Sequence, residues 1–393
     1  MDRDTAVSLA QQAIKASNRR LIDALLAIKA ERERSPEAPR SLEQLPRIAV
    51  TCATGWECYA IVEELVKTGR FRVRALYRTP GTQAAARLEA LLKEVEARQP
   101  GLLTLHPRVD MNSREDLEKA FASCQGAVLY FTANTSKAGK ITNHGKDPQG
   151  GRAAVMRQVM AALGALKANP SVQHAITLIF PADKVHGLVD DAPEAPWWIQ
   201  QKLRLSDFLR SQGVNVTCIY RPAYYYAMHR VDYTAQAHIR GDSALSRTMI
   251  RENNIPGITE PDFMVNWLDV RDIGKWVGTC FEYPEVFSNE DLSIASSAHT
   301  GHELVAIAEK CNRHGTRFKY RQFPRWLMRI LSIFSEEVVY PLRYAEWYNA
   351  RNNGYDFASE EDLADLDRVH PRWTFERELE FWGINDIRPG GKG

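Results

Sequence analysis

The sequence contains no apolar run near the roughly 20 residues that a membrane-crossing helix needs, so no bilayer span is expected. It carries no excess of either charge: 51 Lys and Arg stand against 49 Asp and Glu, a formal net charge of +2. Such a balance offers no field to a nucleic-acid backbone or an anionic membrane surface, and neither partner is expected. Cysteine is sparse, with six thiols (Cys52, Cys58, Cys124, Cys218, Cys280 and Cys311) among 393 residues. That excludes a disulfide framework and reads as reduced thiols in a cytoplasmic protein. Cys52 and Cys58 lack a second Cys or His pair at zinc-site spacing, so no metal is expected. The opening MDRDTAVSLAQQ also lacks the basic-then-apolar pattern of a secretory signal.

What the chain does have is the balance of a globular protein, with 44% apolar and 25% charged residues. Its length exceeds one ordinary domain. Residues 1–45 read as an N-terminal helical extension, with Ile14, Leu21, Leu25 and Ile28 at helical spacing among charged residues. Charge and proline in ERERSPEAPRSLEQLP end it. An amphipathic stripe is usually a buried face, so packing on the body is favoured over an oligomerisation arm. A homodimer is left open.

From residue 46 to 222 strands and helices alternate. RIAVT, FRVRALY, LLTLHPRVD, GAVLYFT, HAITLIF and VNVTCIY read as strands, separated by helical segments such as SREDLEKAFASC, which Ser113 would cap. Parallel strands need crossover helices, so this order predicts an α/β fold, a Rossmann-type doubly wound parallel sheet that binds a dinucleotide. Residues 223–393 read as a smaller C-terminal α/β substrate or lid region with a helical tail. There NWLDVRDIGKWVGTCF is a short strand feeding a helix, HTGHELVAIAEKC is a helix, and 323–355 is aromatic-rich and helical.

The stretch VTCATGWECYA has the outline of a dinucleotide-binding turn. In such a turn three glycines permit a tight bend, close approach to the pyrophosphate and close helix packing, and backbone N–H groups hold the anion. Only Gly55 remains here, with Cys52 and Cys58 at the other two positions. Thr51, Trp56 and Glu57 flank Gly55 as further cofactor-binding candidates, and Thr132 ends the fourth strand. Arg78 follows the second strand, where an acid would bind NAD ribose hydroxyls and an arginine suits the 2′-phosphate of NADP. Its bland alternative is a solvated arginine. Asp110 and Met111 follow the third strand, where a carboxylate could accept from the adenine amino group or merely begin a turn.

VTCATGWECYA, RALYRTP, VDMNSREDLEKAF, GAVLYFT and HAITLIF, followed by KLRLSDFLRSQGVNVTCIYRPAYYY and NWLDVRDIG, occur in order over about residues 47–320. In this the chain resembles the NmrA-like family of atypical short-chain dehydrogenases/reductases, related to isoflavone-reductase-like proteins. The resemblance implies an NADP(H)-binding Rossmann core and a small-molecule substrate. It leaves turnover open, since the branch holds reductases and cofactor-sensing regulators alike.

Reductases of the wider superfamily carry Tyr-x-x-x-Lys, in which the tyrosine donates a proton and the lysine lowers its pKa and holds the ribose. Here the pair is Trp198 and Lys202, and an indole N–H is no general acid. The usual serine after the fifth strand is missing from Ile179-Phe180-Pro181-Ala182. Isoflavone-reductase-like relatives also lack the tyrosine and rely on the helix lysine, so the resemblance implies a ribose or proton-transfer role for Lys202. Tyr224, after Arg221-Pro222, and His186, after the fifth strand, are the other catalytic candidates. Aromatic packing and a solvated loop histidine are their bland alternatives. The expected function is an NADP(H)-dependent oxidoreductase, a reductase of a small apolar or aromatic molecule. A non-catalytic NADP-binding regulator, or an isomerase, cyclase or lyase on the same fold, is the alternative.

Overall fold

Apolar runs without polar alternation make strands buried on both faces, and these build the centre of the molecule. A computed structural model describes residues 3–35, 38, 40–131, 135–137, 140–142, 148–179, 205–224, 253–257, 259–334, 342, 346 and 359–381. The first strands are β1 (Arg47–Val50), β2 (Arg72–Tyr77), β3 (Leu103–Pro107) and β4 (Gly126–Leu129). A small antiparallel pair follows, β5 (Thr135–Lys137) and β6 (Lys140–Thr142). Next come β7 (His174–Ile179), β8 (Val216–Tyr220), β9 (Ala223–Tyr224), β10 (Asn254–Gly257), β11 (Val265–Leu268), β12 (Asp291–Ser293), β13 (Ser297–His299) and β14 (Lys319–Gln322). Seven of them form one sheet in the order β12-β8-β7-β4-β1-β2-β3. Every pairing in it is parallel. The expected doubly wound α/β sheet is what the chain forms.

The strand order reverses between β1 and β4, where Val50 lies between Ala75 of β2 and Val128 of β4. The carboxyl edge at such a reversal is where ligands bind in this architecture. Helices cover both faces. On one lie α1 (Arg3–Arg34), α2 (Trp56–Thr68) and α3 (Gln83–Arg98). On the other lie α4 (Arg114–Phe121), α5 (Pro148–Ala168) and α6 (Leu205–Ser211). Ser113 caps α4 as expected, its Oγ accepting from Asp116 N at 3.1 Å.

The C-terminal part adds α7 (Val270–Glu282), α8 (Pro284–Phe287), α9 (Gly301–Cys311), α10 (Arg325–Phe334), α11 (Glu360–Asp367) and α12 (Phe375–Phe381). Of the aromatic-rich segment expected to be helical, α10 is the described part, and most of 335–355 lies outside the described residues. Helix α7 lies directly against α2. Gly274 permits this, because a Cβ there would sit 2.6 Å from Glu64 Cβ and 2.8 Å from the Ala60 carbonyl oxygen. At the start of α7, Arg271 donates to both oxygens of Asp269 at 2.6 Å. It also donates to Glu378 at 2.9 Å and stacks 3.3 Å from the Trp373 ring centre. Helix α12 is thereby fastened to the helix that supports α2.

Strand β12 comes from beyond residue 222 and has a specific lock. Arg210 donates to Asp291 at 2.7 Å and to the carbonyls of Val216 and Glu290. The outer edge of β12 is covered by the N-terminal extension. Ile14, Leu21, Ile22 and Leu25 of α1 are buried, each at 1% exposure or less. Among them, Asn18 Nδ2 donates to Ser293 O at 2.6 Å, and Ser293 N donates to Asn18 Oδ1 at 3.0 Å. One side-chain amide thus serves the edge as a neighbouring strand would. Ion pairs from Lys15 to Asp362, Arg19 to Asp365, Arg20 to Glu290 and Arg32 to Glu285 flank it. Exposed pairs of this kind add little stability. Asn18→Ala removes the partner of both Ser293 backbone groups, and a loss of about 1–3 kcal/mol is expected in urea denaturation.

A buried histidine, His174, and a half-buried one, His370, give the fold a pH dependence. His174 donates from Nε2 to Thr217 Oγ1 at 2.6 Å, since that hydroxyl itself donates to the Phe287 carbonyl. His370 donates likewise to Thr279 Oγ1 at 2.6 Å, whose proton goes to the Lys275 carbonyl. Burial pushes both imidazoles down to about 4. Their folded pKa lies below the unfolded value, so the unfolded chain binds more protons between them. Stability is therefore full above pH ~6.5 and falls as the pH drops towards ~4. His370→Gln is expected to flatten part of that fall in melting temperature between about pH 6.5 and about pH 4.5, read by circular dichroism.

Candidate functional site

The turn after β1 sits at the strand reversal, and local hydrogen bonds dictate its shape. Thr51 is fully buried; its N–H and its hydroxyl both donate to the Val128 carbonyl, at 3.1 and 3.0 Å. The same hydroxyl accepts from Tyr130 N at 2.8 Å. Its side chain therefore stitches β1 to β4 rather than facing a ligand. Ala53 N donates to Leu76 O at 2.9 Å, which ties the turn to β2. Gly55 N donates to Cys52 O at 2.8 Å and closes it.

Cys52 takes the first glycine position, with φ at +52°. A side chain in this left-handed region costs about 1–2 kcal/mol, which glycine would avoid. Gly55 is needed for space instead. Its φ is −73°, but a Cβ would stand 3.2 Å from the Cys52 carbonyl oxygen. Gly55 is the N-cap of α2 and supplies no side-chain cap, so the start of the helix keeps its capacity for an anion. Trp56, at the first helical position, is half-buried.

Cys58, at the third glycine position, is 1% exposed and packs within the core. Burial raises its thiol pKa well above the usual range, with Cys52 and Glu57 adding to the shift and Arg221 opposing it. Burial also raises the Cys52 thiol, to about 11, against the pull of Arg78. Neither is a thiolate nucleophile at neutral pH. Cys52 Sγ instead donates weakly to Tyr130 O at 3.6 Å.

Arg78 is exposed at the end of β2, and its charge reaches the Cys52 thiol. It thus stands beside the turn, as its sequence position suggests. A second arginine stands nearby with no motif to announce it. Arg87 of α3 donates from Nη2 to Thr54 O at 3.3 Å, and its guanidinium lies 5.0 Å from the Tyr59 ring centre. An arginine one turn into the helix after β2 is its only sequence signal. Asp110 holds a turn: its Oδ1 accepts from Asn112 N at 3.0 Å and from Asn112 Nδ2 at 2.9 Å. Met111 is half-buried against the core on the α4–α5 face.

Glu57 does not point out of the turn. It is 5% exposed, and its Oε1 accepts from Arg221 Nη2 at 3.0 Å and from Tyr130 Oη at 3.3 Å. Arg221 follows β8 and is 2% exposed. Burial first, then the Glu57 charge, raises the Tyr130 phenol well above its usual pKa, with Arg221 opposing. Tyr224 lies in β9 opposite Leu268 of β11, but its side chain is outside the described residues. Thr132, His186 and Lys202 also fall outside them, with Pro181 and Trp198.

The family model described as "NmrA-like family" matches residues 45–375. The chain belongs to the NmrA-like family. Solved structures carry the same fold at low sequence identity. NmrA, a negative transcriptional regulator solved in complex with NADP, is 14% identical, with 88% of this chain and 96% of that one aligned at a TM-score of 0.58. The triphenylmethane reductase of Citrobacter sp., complexed with NADP(H), is 16% identical over 85% and 99% of the two chains at 0.58. An isoflavone reductase is 14% identical over 86% and 100% at 0.59. No curated protein matches the chain in sequence. Among the described residues no group of His, Cys, Asp and Glu could hold a metal ion, and no helix is long and apolar enough to cross a membrane.

In this NmrA-like chain the strained position can be relieved. Cys52→Gly is expected to stabilise the protein by about 1 kcal/mol in urea denaturation. Lower stability in the variant would contradict the left-handed conformation.

Proposed function

We propose that the chain binds NADP(H) across the Gly55 turn and reduces a small apolar or aromatic molecule. The observation that carries this is the start of α2 at the strand reversal, where glycine is the N-cap and no side chain caps the helix, with Arg78 directly after the strand end to which the turn is tied. NADP or NADP(H) is bound by NmrA, by the triphenylmethane reductase and by a neighbour solved with NADP+ and (+)pinoresinol. The residues present fit the group: Gly55 leaves room above the Cys52 carbonyl, and the thiols at the other glycine positions are packed into the protein.

When bound, the cofactor supplies the hydride. Backbone N–H groups in the first turn of α2 hold the pyrophosphate, helped by the positive end of the helix. Arg78 takes the 2′-phosphate. Asp110 and Met111 border the adenine, the carboxylate accepting from its amino group, and Thr132 serves the cofactor as well. Lys202 holds the ribose and assists proton transfer, with Tyr224 or His186 as the proton donor. A cofactor-binding regulator without turnover is the second reading. Trp198 and Pro181 favour it, because they remove the usual acid and serine.

Fluorescence titration tests the cofactor binding that both readings share. Arg78→Ala is expected to weaken NADPH binding at least tenfold and NADH binding hardly at all. Equal loss for both would remove its phosphate role. Absence of binding to either cofactor at high micromolar concentration would sink both readings.

A further inference from the structure

A carboxylate in the first turn of α2 is an awkward neighbour for a bound pyrophosphate. Both are drawn to the same positive helix end, and they repel each other. Glu57 is such a carboxylate, at the second position of the helix. It has been taken out of water at a cost, since its Oε2 is buried with no hydrogen-bond partner among the described residues. Its Oε1 is held by Arg221 and Tyr130. These come from the ends of β8 and β4, so the cluster ties the start of α2 to strands on the far side of the reversal.

We infer that Arg221 is a positioning residue for the cofactor. By pairing with Glu57 it draws that carboxylate down into the protein and cancels its charge, which keeps the start of α2 able to hold a pyrophosphate. The inference rests on the proposed binding of NADP(H) at Gly55. A buried ion pair is seldom retained for stability alone, because desolvating both charges offsets their attraction. Here it has an electrostatic task. The pair sums to zero, which leaves the Arg78 charge beside the turn uncancelled by Glu57. Tyr130 adds a neutral donor that fixes the carboxylate's orientation without adding charge.

Three variants test this by titration with NADPH, each with its melting temperature recorded. Glu57→Gln keeps the shape and removes the negative charge, and is expected to bind NADPH at least threefold more tightly. Arg221→Leu leaves the carboxylate uncompensated and is expected to bind at least tenfold more weakly. Adding Glu57→Gln to Arg221→Leu is expected to restore affinity to within threefold of wild type. Unchanged or weaker binding by Glu57→Gln would overturn the inference, and the isosteric change keeps this arm available if Arg221→Leu does not fold. A double variant as weak as Arg221→Leu alone would also overturn it. Wild-type protein that binds no NADPH overturns the cofactor reading as well, whereas wild-type binding with an unmoved Glu57→Gln overturns this inference alone.

Discussion

The carboxyl edge of the sheet depends on one buried hydroxyl. Thr51 donates to the Val128 carbonyl and accepts from Tyr130 N, so it holds together the two strands between which the chain order reverses. A parallel sheet offers no short connection at this place, and the strands on either side are reached by separate crossovers. Without that stitch, the residues leaving β1 and β4 would be joined only by the Thr51 N–H bond to Val128 and the weak contact of the Cys52 thiol with Tyr130. With it, the left-handed Cys52, the Gly55 cap and the Tyr130 phenol stand in one frame.

Much of the fold is legible in the sequence, because buried parallel strands announce themselves as apolar runs and helices as periodic stripes. All six strands read from the sequence between residues 47 and 220 join the sheet, including β3, which is only partly buried at its edge. The seventh, Asp291–Ser293, has three residues and no pattern of its own. It is recruited by the open edge of β8, by Arg210 and by Asn289, whose side-chain oxygen accepts from Val216 N at 3.0 Å. Such pairings are set by tertiary neighbours, which a local reading of the sequence does not see.

The candidate site is legible in outline and less so in detail, for a related reason. Residue type and strand position are enough to place Gly55 at the start of the helix after β1 and Arg78 just after β2. They do not show which way a side chain turns. The Glu57 carboxylate is drawn inward by a buried partner, Arg221, that lies far along the chain. The Thr51 hydroxyl serves the sheet, although its place in the motif resembles that of a cofactor contact. Arg87 escapes a motif reading because its role comes from where α3 lands beside Thr54, and helix packing is not written in a short motif. The two departures from the glycine pattern differ in consequence. Cys58 costs little, since a small thiol fits the helix–strand contact, whereas Cys52 bears a conformational penalty.

Asn18 has a wider consequence. Its amide matches the Ser293 peptide group for group, so the hydrogen bonding of the sheet does not end at its last strand. The N-terminal extension is in that sense a component of the sheet, contributing one rung where a further strand would contribute several. A chain shortened past this residue would present a bare β-edge to its surroundings, and bare edges recruit copies of themselves. The long helix thus acts as a terminator, keeping a seven-stranded sheet at seven.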